Sequence, residues 1–151
     1  MEAQAHMMRM LVATDGSQHA LKAAEWAARL ARELRGAEIM VVHVGHIPAI
    51  VFAGATADST VDLRSLEEEM QQAGRAILGQ TVKALAGLDE RATHHYRQGD
   101  PAAEILSAAQ ELKADMIIMG SRGRGQIGGL ILGSVSERVL HGAHTPVLIV
   151  R

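Results

Sequence analysis

Four residues near the carboxyl end of the chain have the spacing of a phosphate cradle. In "MGSRGRGQIGGLILGS", two residues separate Gly120 from Gly123, nine more separate Gly123 from Gly133, and Ser134 adjoins it. Six glycines lie between Gly120 and Gly133 inclusive, although glycine loses more conformational freedom on folding than any other residue. Such density points to positive φ or to a ligand that comes closer than a Cβ permits. Gly123 lets the loop curl with its amides inward, making an anion-binding concavity. Gly133 and Ser134 open a helix whose free N–H groups and positive dipole end suit a phosphate, and the Ser134 hydroxyl adds a donor. Gly120, ending a strand, lets the backbone pass beneath a sugar. Arg122 and Arg124 offer bidentate phosphate contacts.

Other phosphate motifs fit less well. Gly128 and Gly133 have P-loop separation and Ser134 follows, but no lysine stands between glycine and serine. "GRGQIG", Gly123 to Gly128, matches the dinucleotide fingerprint. That fingerprint needs an acidic residue about 20 positions on, where this chain reads "PVLIV". Asp15, in "TDGS", is either a turn and capping residue or a carboxylate at the ligand, and position alone leaves both open. The histidines of "HVGH", "HH" and "HGAH" share no helix face with a carboxylate in a known ligand pattern, so they are read as surface and core residues.

The elements that must position these residues alternate. "RMLVA", Arg9 to Ala13, is a short apolar strand ending at "TDGS"; a helix runs from Gln18 to Leu34 with polar residues every three or four positions. "IMVVHV" is a second strand. A second helix places Leu66, Met70, Ala73 and Ile77 on one face, with Gly74 and Gly79 weakening it. "ATHHYRQ" is the most polar strand, and Asp100 with Pro101 caps a third helix reaching about Leu112. "DMIIMG" is the fourth strand, a helix covers about Ser134 to His141, and "PVLIV" is the fifth. Met40, Met70, Met116 and Met119 read as core filler. This order predicts an α/β fold, an open doubly wound five-stranded parallel sheet with helices on both faces. Ligands in such sheets bind beyond the carboxyl ends of the strands, where "TDGS" and the glycine stretch both fall.

Composition narrows the partners. The 151 residues predict one domain over 1–151, with a loop at about 45–62, and a chain this long buries roughly 70% of its unfolded surface. A net charge of −2 and an aromatic content of 2% argue against nucleic acid. Cysteine is absent, which excludes thiolate chemistry and fits a reducing compartment. No stretch reaches the roughly 18 apolar residues of a spanning helix, and the first residues lack a signal-peptide core, so the expectation is a cytoplasmic protein with no membrane contact. "VLIV" as an apolar edge strand invites pairing with another chain.

Taken together, the glycine spacing, "LVATDGS", the "HV" closing the second strand, "ADMIIMGSRG" and "TPVLIVR" resemble the universal stress protein family along nearly the whole chain. The resemblance implies a Rossmann-like fold of the adenine-nucleotide alpha-hydrolase type and ATP as ligand. It places Asp15 and Val44 at the adenine end with Ala13 and Thr14 alongside, and Met119 and Gly120 beside the ribose. Gly123, Gly133, Ser134, Val135 and Ser136 fall on the phosphates. Mg2+ or Mn2+ accompanies the phosphates, with Asp15 as the nearest carboxylate. Homodimers joined through Val147, Leu148, Ile149 and Val150 are also implied. No catalytic residue is assigned: phosphoryl transfer needs clamps and a residue orienting the nucleophile, and the motif offers arginines but neither lysine nor base. A slow ATPase, and a chaperone-like scaffold acting through its dimer surfaces, are the alternatives to a nucleotide-dependent regulator with a protein partner.

Overall fold

The computed structural model describes residues 7–48, 62–124 and 132–151. Most of the loop expected at 45–62, and the central glycines Gly125, Gly128 and Gly129, lie outside the described residues. Five strands, β1 (Arg9–Ala13), β2 (Glu38–Gly45), β3 (Ala92–Gln98), β4 (Met116–Gly120) and β5 (Val147–Val150), form one sheet. Between them run α1 (Gln18–Glu33), α2 (Leu63–Lys83), α3 (Pro101–Glu111) and α4 (Ser134–Gly142), with a short 3-10 turn at Asp89–Arg91. The strand order is β3-β2-β1-β4-β5 and every pairing is parallel, with Leu11 opposite Met40 on one side and Ile117 on the other.

Side chains alternate across the pleat, and both faces are apolar because both are covered. Met10, Val12, Ile39, Val41 and Ile118 face α1 and α2. Leu11, Ala13, Met40, Val42, Ile117 and Met119 face α3 and α4. Leu11, Ile39, Met40 and Ile117 are fully buried, each contributing about 1.5–3 kcal/mol. The face of α1 against the sheet is entirely alanine, from Ala20 to Ala31, so this helix lies close to the strands. Gly120 marks the closest approach: a Cβ there would stand 2.7 Å from the backbone carbon of His19 and 2.9 Å from the Ala20 nitrogen. Its glycine is therefore demanded by helix packing, whatever lies against its other side.

The buried face of α2 is rotated from the expected one. Ala73 is exposed, and Gly74, Leu78, Thr81 and Val82 are buried instead. Gly74 sits where the Tyr96 ring crosses the helix, so the residue that weakens the helix by propensity is the one that lets it dock. Ser17 caps α1 by accepting from the Ala20 N–H, and Asp100 caps α3 by accepting from Ala103.

Candidate functional site

β1 connects through α1 to β2 on one side, whereas β4 lies on its other side, so the strand order reverses between β1 and β4. At their carboxyl ends a cavity of about 380 Å3 opens, where an open parallel sheet leaves a crevice. All twelve residues singled out from the sequence line it. Ala13, Thr14 and Asp15 come from the end of β1, Val44 from β2, and Met119 and Gly120 from β4. Arg122 and Gly123 belong to the following loop, Gly133 caps α4, and Ser134, Val135 and Ser136 form its first turn. Arg124 joins them.

The wall on the β2 side is apolar. Val42 and Val44 point to the same face of the strand, and Pro101 and Ile105 stand one helical turn apart on α3. Of these only Val44 was singled out from the sequence; Val42 was legible in the alternation of β2, and Ile105 in its i,i+4 spacing from Pro101. His43 also lines the cavity and was missed. Its Nδ1 lies 2.8 Å from the Thr14 carbonyl oxygen, which fixes the ring against the turn.

The β4 side is the reverse. Gly133 caps α4 with no side-chain hydrogen bond, leaving the first-turn amides directed at the cavity. The Arg122 Nε is buried and has no hydrogen-bond partner among the described residues, and a buried donor without an acceptor is costly unless an anion meets it. The Gly133 N–H itself donates to the Ser121 carbonyl at 2.7 Å. Ser136 is 3% exposed and its hydroxyl donates to the Gly120 carbonyl at 2.9 Å, so that side chain ties the helix to β4, and only the backbone amide of Ser136 remains for a ligand.

Asp15 joins the two loops. One carboxylate oxygen accepts the Ser17 N–H and the other the Arg124 N–H, both at 2.9 Å. A Cβ on Gly123 would lie 2.5 Å from the second oxygen. Gly123 is thus glycine because the Asp15 carboxylate occupies the place of its side chain. With both oxygens engaged, Asp15 is a loop anchor first. Among the described residues no group of three histidine or acidic side chains is placed to hold a metal, so a divalent ion here would depend on phosphate oxygens for most of its ligands.

α3 and α4, which flank the cavity, are clasped by Arg138, whose two guanidinium nitrogens each donate to an Asp100 oxygen at 2.8 Å. The pair, with the Ala103 N–H, lowers the Asp100 carboxyl from 3.8 to about 2. Both ends of the clasp are exposed, so its weight lies in orienting the helices more than in stability.

The cavity therefore has an apolar slot at one end and an anion-seeking end at the other. The universal stress protein family model matches residues 7–151. Universal stress protein YxiE of Bacillus subtilis is 36% identical over 146 residues, covering 95% of this chain and 98% of that protein. A solved structure of the protein MJ0577 superposes with a TM-score of 0.78 at 25% identity, covering 94% of each chain. A universal stress protein in complex with cAMP superposes at 0.68 and 25% identity, covering 95% of this chain and 97% of that one. Sequence and fold agree across nearly the whole length, and the chain belongs to the universal stress protein family.

Proposed function

We propose that this protein is an ATP-binding regulator of the stress response that works in the cytoplasm as a homodimer. The observation that carries the reading is the polarity of the cavity: an apolar slot on the β2 side faces, on the β4 side, a helix start without a side-chain cap and the buried Arg122 Nε, which has no hydrogen-bond partner among the described residues. An adenine nucleotide has the same two ends. The base lies against Val42, Val44, Pro101 and Ile105, with Ala13, Thr14 and Asp15 beside it. The ribose borders Met119 and Gly120. The phosphates meet Arg122, the Gly123 loop and the amides of Ser134, Val135 and Ser136, where dipole and N–H groups favour anions. Mg2+ or Mn2+ travels with the phosphates, as oxygen-rich donor sets suit hard cations. The cAMP held by one structural relative supports the adenine half of this reading.

Binding acts by population shift: the nucleotide favours the arrangement in which the loop and the start of α4 close on it, and a partner reads the altered surface. No catalytic step is assigned. The test has two parts. Nucleotide released by denaturing the purified protein is identified by mass spectrometry, and the stripped protein is titrated with ATP and Mg2+, and separately with cAMP, by calorimetry. One ATP per chain at micromolar affinity, about −8 kcal/mol, is expected. Binding of cAMP alone would retain the adenine site and overturn ATP as its ligand. Absence of any adenine nucleotide binding would overturn the reading.

A further inference from the structure

The turn that carries Asp15 is held from behind by one stripe of α2, which packs on the face of the sheet opposite Val42 and Val44. Gly74 lies against the His43 ring, with a Cβ position 3.0 Å from His43 Cδ2. One turn on, Ile77 packs where Gly16 would carry a side chain, 3.3 Å away, and Gly16 holds a φ of +76°. One turn further is Thr81, fully buried. Its hydroxyl donates to the Ile77 carbonyl at 2.9 Å, and its oxygen lies 2.8 Å from the Thr14 hydroxyl. Because the single Thr81 proton is spent on Ile77, Thr14 must be the donor in the second bond. The Thr14 oxygen in turn accepts the Gly16 N–H at 3.1 Å.

These bonds form a relay with one direction: Gly16 N–H to Thr14, Thr14 to Thr81, Thr81 to Ile77. Every other polar group of Thr14 is also fixed, its N–H donating to the Val42 carbonyl at 2.9 Å and its carbonyl facing His43 Nδ1. Residues 14–16 are therefore locked, and Asp15 passes that order to the Arg124 amide and the Gly123 loop. A threonine inside a helix ordinarily turns its hydroxyl back to the carbonyl four residues earlier and needs nothing more. Thr81 has a second partner 67 positions away in sequence, in the turn at the cavity.

We propose that Thr81 is a positioning residue for the nucleotide site, acting through its hydroxyl on Thr14 and so keeping the Thr14–Ser17 turn and the Arg124 loop in the binding-competent arrangement. The inference rests on the nucleotide reading for its ligand but not for its first measurement. Amide hydrogen exchange at Gly16 and Arg124 is followed without ligand in the wild type, in Thr81→Val, which keeps the shape and removes the hydroxyl, and in Thr81→Ser, which keeps the hydroxyl. In Thr81→Val both amides are expected to exchange about tenfold faster, and the ATP dissociation constant to rise by a similar factor as the competent fraction falls. Thr81→Ser restores both, which a purely packing role for the methyl group would not produce. The Thr14→Val, Thr81→Val double variant is expected to be no worse at the Gly16 and Arg124 amides than Thr14→Val alone, which already removes both the bond to Thr81 and the acceptor of the Gly16 N–H. Wild-type exchange and affinity in Thr81→Val, or a Thr81→Ser variant as defective as Thr81→Val, would overturn the proposal. If Thr81→Val fails to fold, Thr81→Ala takes its place, because Thr81→Ser differs from it by the hydroxyl alone, and the same two outcomes decide. A wild type that binds no ATP refutes the nucleotide reading alone, because the exchange rates still decide this one.

Discussion

Gly123 and Asp15 share one small volume, and the sharing defines the site at the level of single residues. The φ of Gly123 is not among the positive values, so an alanine there meets no backbone strain and tests proximity alone. Its methyl group would stand 2.5 Å from the Asp15 oxygen that accepts the Arg124 N–H, and something must give. The expected result for Gly123→Ala is a loss of about 1 kcal/mol or less in stability, since the bond is exposed, against roughly tenfold weaker ATP binding, or 1.4 kcal/mol. Thermal unfolding and calorimetry on the same sample separate the two. Equal affinity in the variant would show that the Asp15–Arg124 bond does not shape the phosphate loop. The spacing of Gly120, Gly123, Gly133 and Ser134 was legible in the sequence because a motif is a local pattern. The reason for each glycine was not. Gly120 answers to His19 and Ala20, about 100 residues earlier, and Gly123 to Asp15, partners that no spacing along the chain can name.

Among the elements, α2 departs furthest from its pattern. Apolar periodicity put Ala73 on the buried face, yet Gly74 is there, because the helix must admit a ring from β3. Periodicity counts side chains and cannot see a position where the absence of one is what packs. The two glycines of this helix give a paired prediction. Gly79 is exposed, with no atom of the described residues within 4 Å of a Cβ, so Gly79→Ala is expected to stabilise by about 0.5–1 kcal/mol through backbone entropy. Gly74→Ala gains the same propensity but drives a methyl group to 2.6 Å from Tyr96 Cδ2, and overpacking of that kind costs about 1–3 kcal/mol. The net is destabilisation, by up to about 2 kcal/mol, measured by denaturant unfolding. The helix caps, by contrast, were plain in the sequence: Asp100 before Pro101 fixes the start of α3 by local chemistry.

For the molecule as a whole, alternation of strands and helices gave the parallel, two-faced sheet, while the order β3-β2-β1-β4-β5 had to come from tertiary packing. That order leaves β5 at an edge, and the direction of its backbone says which residues a second chain would meet. The Ile117 N–H donates to the Pro146 carbonyl and the Ser121 N–H to the Val150 carbonyl. Alternate residues of a strand turn their polar groups the same way, so Pro146, Leu148 and Val150 face β4, and Val147 and Ile149 present theirs outward. Proline is tolerated where the missing N–H would have faced solvent, and the extended backbone it imposes on the preceding residue suits a strand. Ile149→Pro is therefore expected to fold while losing its outward donor. In a two-fold pair each donor occurs twice, and two lost bonds of about 1 kcal/mol or more raise the dissociation constant at least roughly 30-fold. If the chain pairs through β5 as proposed, sedimentation should report twice the chain mass of 16.1 kDa for the wild type and the single mass for the variant. A variant that remains dimeric would place the pairing surface away from β5 and leave this edge to another partner.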